Sequence, residues 1–260
     1  MILPRTVGAE TLDGLAEDDP RAMRSRRDLR RVHRAMGTRT IVARALRKMM
    51  AAPRDRAAPL RLLELGAGDG TLMLGVAGAL APHWPGVELT LLDRQALVQH
   101  ATLERYATLG WRASVRVADV LDWAVAPLGD RLANGGAAHW DLVVANLFLH
   151  HFEAAPLGVL LGSIAARSDH FFACEPRRAW LALVGSHLIG ALGANAVTRE
   201  DAVLSVHAGF TGHELSALWP REPQGWQLRE HPAGLFSHCF GASRTASIWA
   251  AAATTPASRR

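Results

Sequence analysis

The chain has 260 residues, of which 49% are hydrophobic and 20% are charged, and this balance is typical of a globular protein with one substantial core. It has no uninterrupted apolar run of about 18 residues and no signal-peptide pattern, so we expect no membrane span. Two cysteines, Cys174 and Cys239, without a secretion signal predict reduced thiols in a cytoplasmic protein. The twelve histidines show no His/Cys cluster with the spacing of a zinc site, so no metal is expected.

The net charge of +5 is concentrated at the N-terminal end. Residues 1–60 contain 14 Lys and Arg against seven Asp and Glu, whereas the remaining residues contain 15 against 17. A strongly basic segment favours nucleic-acid binding in general. Because the rest of the chain is nearly neutral, we expect a small-molecule partner and keep an RNA-associated function as an alternative.

The first predicted elements are two helices. Asp19 followed by Pro20 is a favourable N-cap and first-turn pair, and it predicts a helix that runs to about Met36. Gly37 then predicts a break, after which a second helix spans 38–50. The arginines cover much of the first helix and indicate either a solvated face or a lid.

A glycine-rich turn follows the first apolar run. The run ends at Glu64, and glycines follow at alternate positions, Gly66, Gly68 and Gly70, with Ala67 in the same turn. This order predicts a buried strand, a tight turn without Cβ atoms, and a helix whose N-terminus faces the turn. The spacing does not match the G-x-G-x-x-G fingerprint of dinucleotide-binding proteins, and no phosphate-loop Gly-Lys-Ser/Thr follows.

Three later apolar runs end in polar residues. In an open parallel sheet, ligands bind at the carboxyl ends of the strands, so these residues are candidates for binding. They are Asp93, Asp119 with Val120 after it, and Asn146.

The alternation of apolar runs and helical segments after residue 60 predicts right-handed crossovers and a parallel sheet. Helices are predicted at 71–79, 95–108, 153–166 and 179–192. A fifth strand is predicted at 170–174, and a hairpin at 226–229 and 236–240. The segment 205–215 reads as a loop followed by a helix start, with Thr211 and Glu214 at capping-box spacing. Residues 1–17 show no periodicity and are expected to be a mobile lead-in.

The E-x-G-x-G-x-G pattern from Glu64 to Gly70 resembles motif I of class I S-adenosylmethionine-dependent methyltransferases. With the acids at later strand ends, the resemblance covers roughly residues 18–245. It implies an α/β fold: a Rossmann-like, seven-stranded, mostly parallel sheet with an antiparallel C-terminal hairpin. It also implies S-adenosylmethionine as cofactor, bound through Glu64, Gly66, Ala67, Gly68, Gly70, Asp93, Asp119, Val120 and Asn146. Asp93 then holds the ribose hydroxyls, and Asp119 contacts the adenine amino group.

At finer grain, the chain is similar to bacterial methyltransferases that accompany type III polyketide synthases and act on phenolic or quinol products. Three strings carry this resemblance, at 18–31, 146–152 and 205–215. It implies an N-terminal helical lid (1–58) over the substrate mouth and a methyltransferase domain (59–249). Residues 250–260 are expected to be a disordered tail.

Two adjacent histidines are the candidates for catalysis. A phenol has a pKa of about 10, so a nearby base assists the removal of its proton. His150 and His151 follow the fourth strand, where the family's acceptor site opens, and histidine has a suitable pKa. Adjacent side chains point in different directions, so the base is His150, His151 or neither. The acceptor atom, oxygen or ring carbon, and the oligomeric state stay open.

Overall fold

The computed structural model describes residues 3–51, 58–84, 86–127, 139–221 and 225–245. In this part of the chain, one sheet contains the strands β1 (Leu60–Leu65), β2 (Val87–Asp93), β3 (Trp111–Val117), β4 (Trp140–Asn146), β5 (Ser168–Pro176), β6 (Trp226–Ala233) and β7 (Ser237–Arg244). Their order is β3-β2-β1-β4-β5-β7-β6. The first five strands are parallel, and β7 is antiparallel to both β5 and β6. The predicted fold class is confirmed; the predicted tail, 250–260, lies outside the described residues.

The order of the strands changes direction between β1 and β4. The chain builds outward from β1 through β2 to β3, and then returns to place β4 on the other side of β1. Leu65 at the end of β1 is in register with both Leu92 of β2 and Ala145 of β4. Such a switch point creates a crevice at the carboxyl edge of the sheet. The turn that follows β1 therefore lies between Asp93 and Asn146.

Ten α-helices accompany the sheet in the described residues. They are α1 (Thr11–Gly14), α2 (Pro20–Met36), α3 (Thr38–Met49), α4 (Thr71–Leu80), α5 (His100–Thr108), α6 (Val120–Val125), α7 (Ala154–Arg167), α8 (Trp180–Leu188), α9 (Ala196–Ala208) and α10 (Glu214–Leu218). Short 3-10 turns follow β4 at Leu149–His151 and follow α8 at Ile189–Leu192. None of these helices is both long and apolar enough to cross a membrane.

The two N-terminal helices begin and end where the sequence predicts. The Asp19 carboxylate accepts a 2.7 Å hydrogen bond from the Arg21 backbone N–H, and Pro20 occupies the first turn of α2. Gly37 ends the helix in the left-handed region, with a φ of 68°. Glycine adopts this conformation without the steric cost that a Cβ atom brings.

Helix α5 begins later than the predicted residue 95. Its expected first residues stay irregular because side chains bind their backbone N–H groups. Asp93 accepts a 2.9 Å hydrogen bond from Gln95 N–H, and Glu17 accepts one of 3.0 Å from Ala96 N–H. The helix proper begins at His100.

Two other segments also differ from expectation. Residues 205–208 continue α9 as helix, and the loop expected there is confined to the residues that follow. Residues 3–17 were expected to be mobile, but they pack against the domain. Arg5 donates hydrogen bonds of 2.8 Å to both Ala208 O and Phe152 O. These contacts join distant parts of the chain, and no periodic pattern in the sequence encodes them.

Both faces of the central strand β4 are buried. Val143 and Ala145 point into a core with α6, α7 and α10, whereas Leu142 and Val144 point into a core with α3, α4 and α5. Alternate residues of a strand face opposite sides of the sheet, so a continuous apolar run marks a strand covered on both faces. The polar groups at the end of this strand are thereby held on a rigid support.

Candidate active site

A deep cleft lies over the carboxyl edge of the sheet, at the switch point between β1 and β4. Its volume is about 1140 Å³, and its walls come from the N-terminal segment, α2, the turn after β1, the ends of β2 and β4, and α8. Ligand pockets in proteins commonly measure about 300–1,000 Å³. The cleft is therefore large enough for a nucleoside-sized cofactor together with a small second molecule.

The glycine-rich turn after β1 forms the floor of the cleft. Gly66, Gly68 and Gly70 all have a positive φ, of 67°, 55° and 71°. A Cβ atom at Gly66 would overlap the ring of Phe148, whereas a Cβ atom at Gly68 would meet no atom within 4 Å. The backbone at Gly68 is thus open to a ligand, and the N-terminus of α4 follows it. Tyr106 fixes the far end of the turn, donating a 2.8 Å hydrogen bond to Gly70 O.

The predicted strand-end acids both lie at the cleft. Asp93 accepts hydrogen bonds from the backbone N–H groups of Gly68 at 2.8 Å and Gln95 at 2.9 Å, so it joins the end of β2 to the glycine-rich turn. Asp119 is the N-cap of α6 and accepts a 2.7 Å hydrogen bond from Leu121 N–H. Each carboxylate retains lone pairs for a ligand. Val120 is buried beside them.

Two buried acceptors in the cleft have no hydrogen-bond partner among the described residues. These are Glu64 Oε2 at the end of β1 and Asn146 Oδ1 at the end of β4. Burial raises the pKa of the Glu64 carboxyl well above its ordinary value, and the nearby charges of Asp93 and Asp69 raise it further. A buried polar atom without a partner is costly, so this pair favours a ligand that donates hydrogen bonds. Ala67 completes the turn between them.

The two candidate histidines follow β4 in a 3-10 turn that the buried carboxylate of Glu175 organises. Glu175 accepts hydrogen bonds from the backbone N–H groups of Phe148 and Leu149, each at 3.1 Å, and of His150 at 3.3 Å. It also lies 2.9 Å from His150 Nδ1.

Leu147, just before this turn, has a φ of 49° and is the only described residue other than glycine with a positive φ. Such strain often marks a functional site.

Glu10 is the site residue that the sequence did not reveal. Its Oε1 lies 3.3 Å from His150 Nε2, and its Oε2 lies 3.4 Å from His151 Nε2. Ser205 Oγ donates a short hydrogen bond to the same carboxylate. We call Glu10, His150 and His151 the histidine cluster. Glu10 belongs to a segment without periodicity, so only the tertiary fold brings it to the histidines.

His150 as the general base stays a prediction, and its surroundings count against it. Burial lowers the pKa of the imidazole, but hydrogen bonds with Glu10 and Glu175 outweigh this effect and raise the pKa to about 9. His150 is therefore protonated at neutral pH when only protons occupy the cluster. His151 has a different environment: its Nδ1 lies 2.9 Å from Phe148 O, and its side chain is 23% exposed.

The N-terminal segment and α2 contact the half of the cleft that contains the glycine-rich turn. Arg30 of α2 forms a 2.7 Å ion pair with Asp69 in that turn. Arg26 donates a 3.3 Å hydrogen bond to Gln95 after β2. His33 also faces the cleft, and its buried Nε2 has no partner among the described residues. The helical lid over the substrate mouth stays a proposal. These contacts lead us to propose that it also covers the half of the cleft that contains the glycine-rich turn.

No protein-family model matches the chain, and no curated protein matches it. Solved structures do. An O-methyltransferase family protein from Burkholderia thailandensis superimposes with a TM-score of 0.55 at 16% identity, over 88% of this chain and 61% of that chain. The N,N-8-amino-8-demethyl-D-riboflavin dimethyltransferase from Streptomyces davawensis gives a TM-score of 0.53 at 19% identity, over 91% and 62%. A possible exported protein from Bordetella parapertussis gives 0.54 at 16% identity, over 83% and 68%.

The chain thus spans about three fifths of the length of the first of these proteins. At such low identities the likeness is one of fold. The described residues adopt the Rossmann-like fold seen in solved methyltransferase structures.

Proposed function

We propose that this protein transfers a methyl group from S-adenosylmethionine to the hydroxyl oxygen of a small phenolic or quinol-type acceptor. The observation that carries the proposal is the pair of unpartnered buried acceptors, Glu64 Oε2 and Asn146 Oδ1, on either side of a glycine-rich turn whose Gly68 is open to the cleft. S-adenosylmethionine supplies an electrophilic methyl group and carries donors that suit these atoms.

The residues of the cleft fit this cofactor in character and order. Gly68 and the N-terminus of α4 suit close approach by its polar end. Asp93 has lone pairs for two vicinal ribose hydroxyls, and Asp119 can accept a hydrogen bond from an amino group of the base. Glu64 is buried with a raised pKa, and an approaching ammonium group would favour its ionised form.

The acceptor half of the cleft combines apolar walls with the histidine cluster. Phe148, Phe152, Met36 and Phe236 are among the residues that line the cleft. Apolar and aromatic walls suit an aromatic ring, and a few convergent polar groups fix its orientation. The cleft thus suits a small aromatic acceptor better than a polymer.

Under this proposal, an acceptor hydroxyl loses its proton beside the histidine cluster. A phenol ionises only at a pH of about 10, so positive charge near its oxygen favours the phenolate. A protonated His150 is such a charge, and the neighbouring imidazole of His151 is the other candidate to take part in the proton transfer. Proximity contributes as well, because methyl transfer needs oxygen and methyl carbon about 3–3.5 Å apart.

Titration calorimetry with S-adenosylmethionine, followed by incubation with phenolic and quinol acceptors and mass spectrometry of the products, tests the proposal. We expect stoichiometric cofactor binding and a product heavier by one methyl group, and NMR of that product identifies the methylated atom. A methyl group on a ring carbon would favour C-methylation, and methylated RNA without methylated phenols would favour the RNA-associated alternative. Absence of cofactor binding would overturn all three.

A further inference from the structure

The histidine cluster has the arrangement of a metal-ligand set. Two imidazole nitrogens and one carboxylate, from His150, His151 and Glu10, face one another, and their ligand atoms all lie within 4.8 Å. The geometry points to a binding site for a first-row divalent transition-metal ion of the Zn²⁺ class at this cluster. The sequence predicted no metal because Glu10 is separated from the histidines by about 140 residues and no local spacing signals their meeting.

The hydrogen bonds at the Nδ1 atoms of both imidazole rings turn the Nε2 atoms toward Glu10. His151 Nδ1 lies 2.9 Å from Phe148 O, and because a carbonyl oxygen only accepts, Nδ1 carries the hydrogen. His150 Nδ1 faces the Glu175 carboxylate, which already accepts backbone N–H groups. Both rings therefore direct Nε2 toward Glu10. Imidazoles that bind metals commonly donate their other N–H to a carboxylate or a backbone carbonyl in this way.

Each imidazole lies at about the edge length of a zinc tetrahedron from one oxygen of Glu10. Bonds of about 2.0–2.1 Å to nitrogen and oxygen place tetrahedral ligands about 3.3–3.4 Å apart. Glu10 Oε1 lies 3.3 Å from His150 Nε2, and Glu10 Oε2 lies 3.4 Å from His151 Nε2. With one ligand atom taken from each residue, the three atoms lie within 4.8 Å of one another, and a small closure would bring them around an ion. Asp13, on the solvent side, has Oδ2 3.9 Å from His151 Nε2 and lies close enough to join them with a small movement. Glu10, Asp13, His150 and His151 all line the cleft, so an ion bound by them would be accessible from it.

The charges at the cluster also favour a cation. Glu10, Glu175 and Asp13 bring carboxylates to the two imidazoles. Arg94 pairs with Asp13 at 3.5 Å, so Glu10 and Glu175 are the carboxylates that face the imidazoles directly. A divalent ion between the ligand atoms would place positive charge beside both of them.

The donor set selects the class of ion. Two imidazoles with one carboxylate suit Zn²⁺, Fe²⁺ or Co²⁺, whereas Mg²⁺ and Ca²⁺ prefer sites made of oxygen ligands alone.

The role of the ion in methyl transfer rests on the proposed function. In that reaction, a cation beside the acceptor would stabilise the negative charge on the acceptor oxygen as the hydroxyl proton is lost to water. Binding of the ion itself does not depend on that function.

Metal titration of the intact, tag-free chain tests the site. The protein is freed of metal with a chelator, dialysed, and titrated with Zn²⁺ by calorimetry and with Co²⁺ by visible absorption. We expect one ion per chain and a Co²⁺ spectrum of a four-coordinate nitrogen and oxygen site. Glu10→Gln and His151→Asn should each weaken binding by at least about 10- to 100-fold, since even outer-shell changes cost that much.

His100→Asn is the matched control. His100 lies 3.4 Å from Glu104, so it is also a histidine facing a carboxylate, but it is exposed on α5. This variant should bind Zn²⁺ as the wild type does. No stoichiometric binding by the wild type, or equal affinity in Glu10→Gln and His151→Asn, would overturn the site. Titration of the metal-free chain with S-adenosylmethionine keeps the two proposals separate: loss of cofactor binding counts against the function, and loss of Zn²⁺ binding counts against the site.

Discussion

The backbone N–H of Gly68 donates a 2.8 Å hydrogen bond to Oδ2 of Asp93, so the end of β2 holds the turn that follows β1. Under the proposed function, Asp93→Ala removes both this support and a contact to the ribose. We expect S-adenosylmethionine affinity to fall by about 1.5–3 kcal/mol, or about 10- to 150-fold in Kd. Titration calorimetry measures the change.

Asp141→Ala provides the control for Asp93. The Asp141 carboxylate also accepts a 2.7 Å hydrogen bond from the Arg61 backbone N–H, but Asp141 lies near the start of β4, away from the carboxyl ends of the strands. The Asp141→Ala substitution should lower stability and leave cofactor affinity unchanged. Equal affinity in the Asp93 variant would remove Asp93 from the cofactor site.

Arg30→Ala should speed release of the cofactor without unfolding the protein. The Arg30–Asp69 pair joins α2 to the glycine-rich turn, with side chains that are 47% and 27% exposed. Exposed pairs contribute at most about 1 kcal/mol, so we expect a small loss of stability and a several-fold faster release of S-adenosylmethionine by stopped-flow measurement. Arg21→Ala, which breaks the exposed pair with Asp19 outside the cleft, is the control. Equal release rates in both variants would mean that the lid covers only the substrate mouth and does not hold the cofactor.

His33 should make the protein less stable in mild acid. Burial lowers its pKa to about 4, against a smaller opposing effect of Asp69, whereas the unfolded chain titrates near about 6.5. Between these values the unfolded state binds more protons than the native state, so stability falls as the pH drops.

His33→Gln should reduce this loss by about 1–2 kcal/mol between pH 7 and pH 5, measured by urea unfolding. The same substitution at the exposed His187 controls for removal of a histidine. If the two variants depend on pH in the same way, the native pKa of His33 is not lowered, and the prediction is wrong.

Two buried pairs of glutamate and histidine allow an effect on stability to be distinguished from an effect on activity, because only one pair lies at the cleft. Glu175 lies 2.9 Å from His150 Nδ1 in the cleft, and Glu230 lies 2.9 Å from His238 Nε2 beyond it, with all four side chains buried. Removing the charge of a buried pair costs about 3–5 kcal/mol. Glu175→Gln and Glu230→Gln should therefore destabilise the chain to similar extents in urea unfolding.

Only Glu175→Gln should lower kcat for a phenolic acceptor, when both variants are assayed at a temperature where they remain folded. Glu175 does not face the acceptor directly; it orients His150 and the backbone of the turn, so cofactor affinity should persist. An equal loss of activity in Glu230→Gln would mean that lower stability accounts for both effects.

The sequence predicted most of the sheet and the grouping of the strand-end polar residues at the cleft, because local signals encode them. Strand ends place Glu64, Asp93 and Asn146 at one end of the sheet, and the cap at Asp19 fixes where α2 begins. The histidine cluster depends on tertiary contacts. Glu10 lies in a segment without periodicity, and the role of Glu175 depends on three backbone N–H groups and the His150 imidazole, which only the folded turn directs at it.

The contact between Gly66 and Phe148 constrains how this protein can evolve. A side chain at position 66 would displace the Phe148 ring, and Phe148 O holds the imidazole of His151. Changes at these positions disturb both halves of the cleft together and are seldom neutral. Leu188 on α8 also lines the cleft, but its side chain is exposed and makes no comparable contact among the described residues that line it. Under the proposed function, divergence toward new acceptors is therefore expected at Leu188, where a mutation changes the shape of the pocket and leaves the glycine-rich turn and the histidine cluster in place.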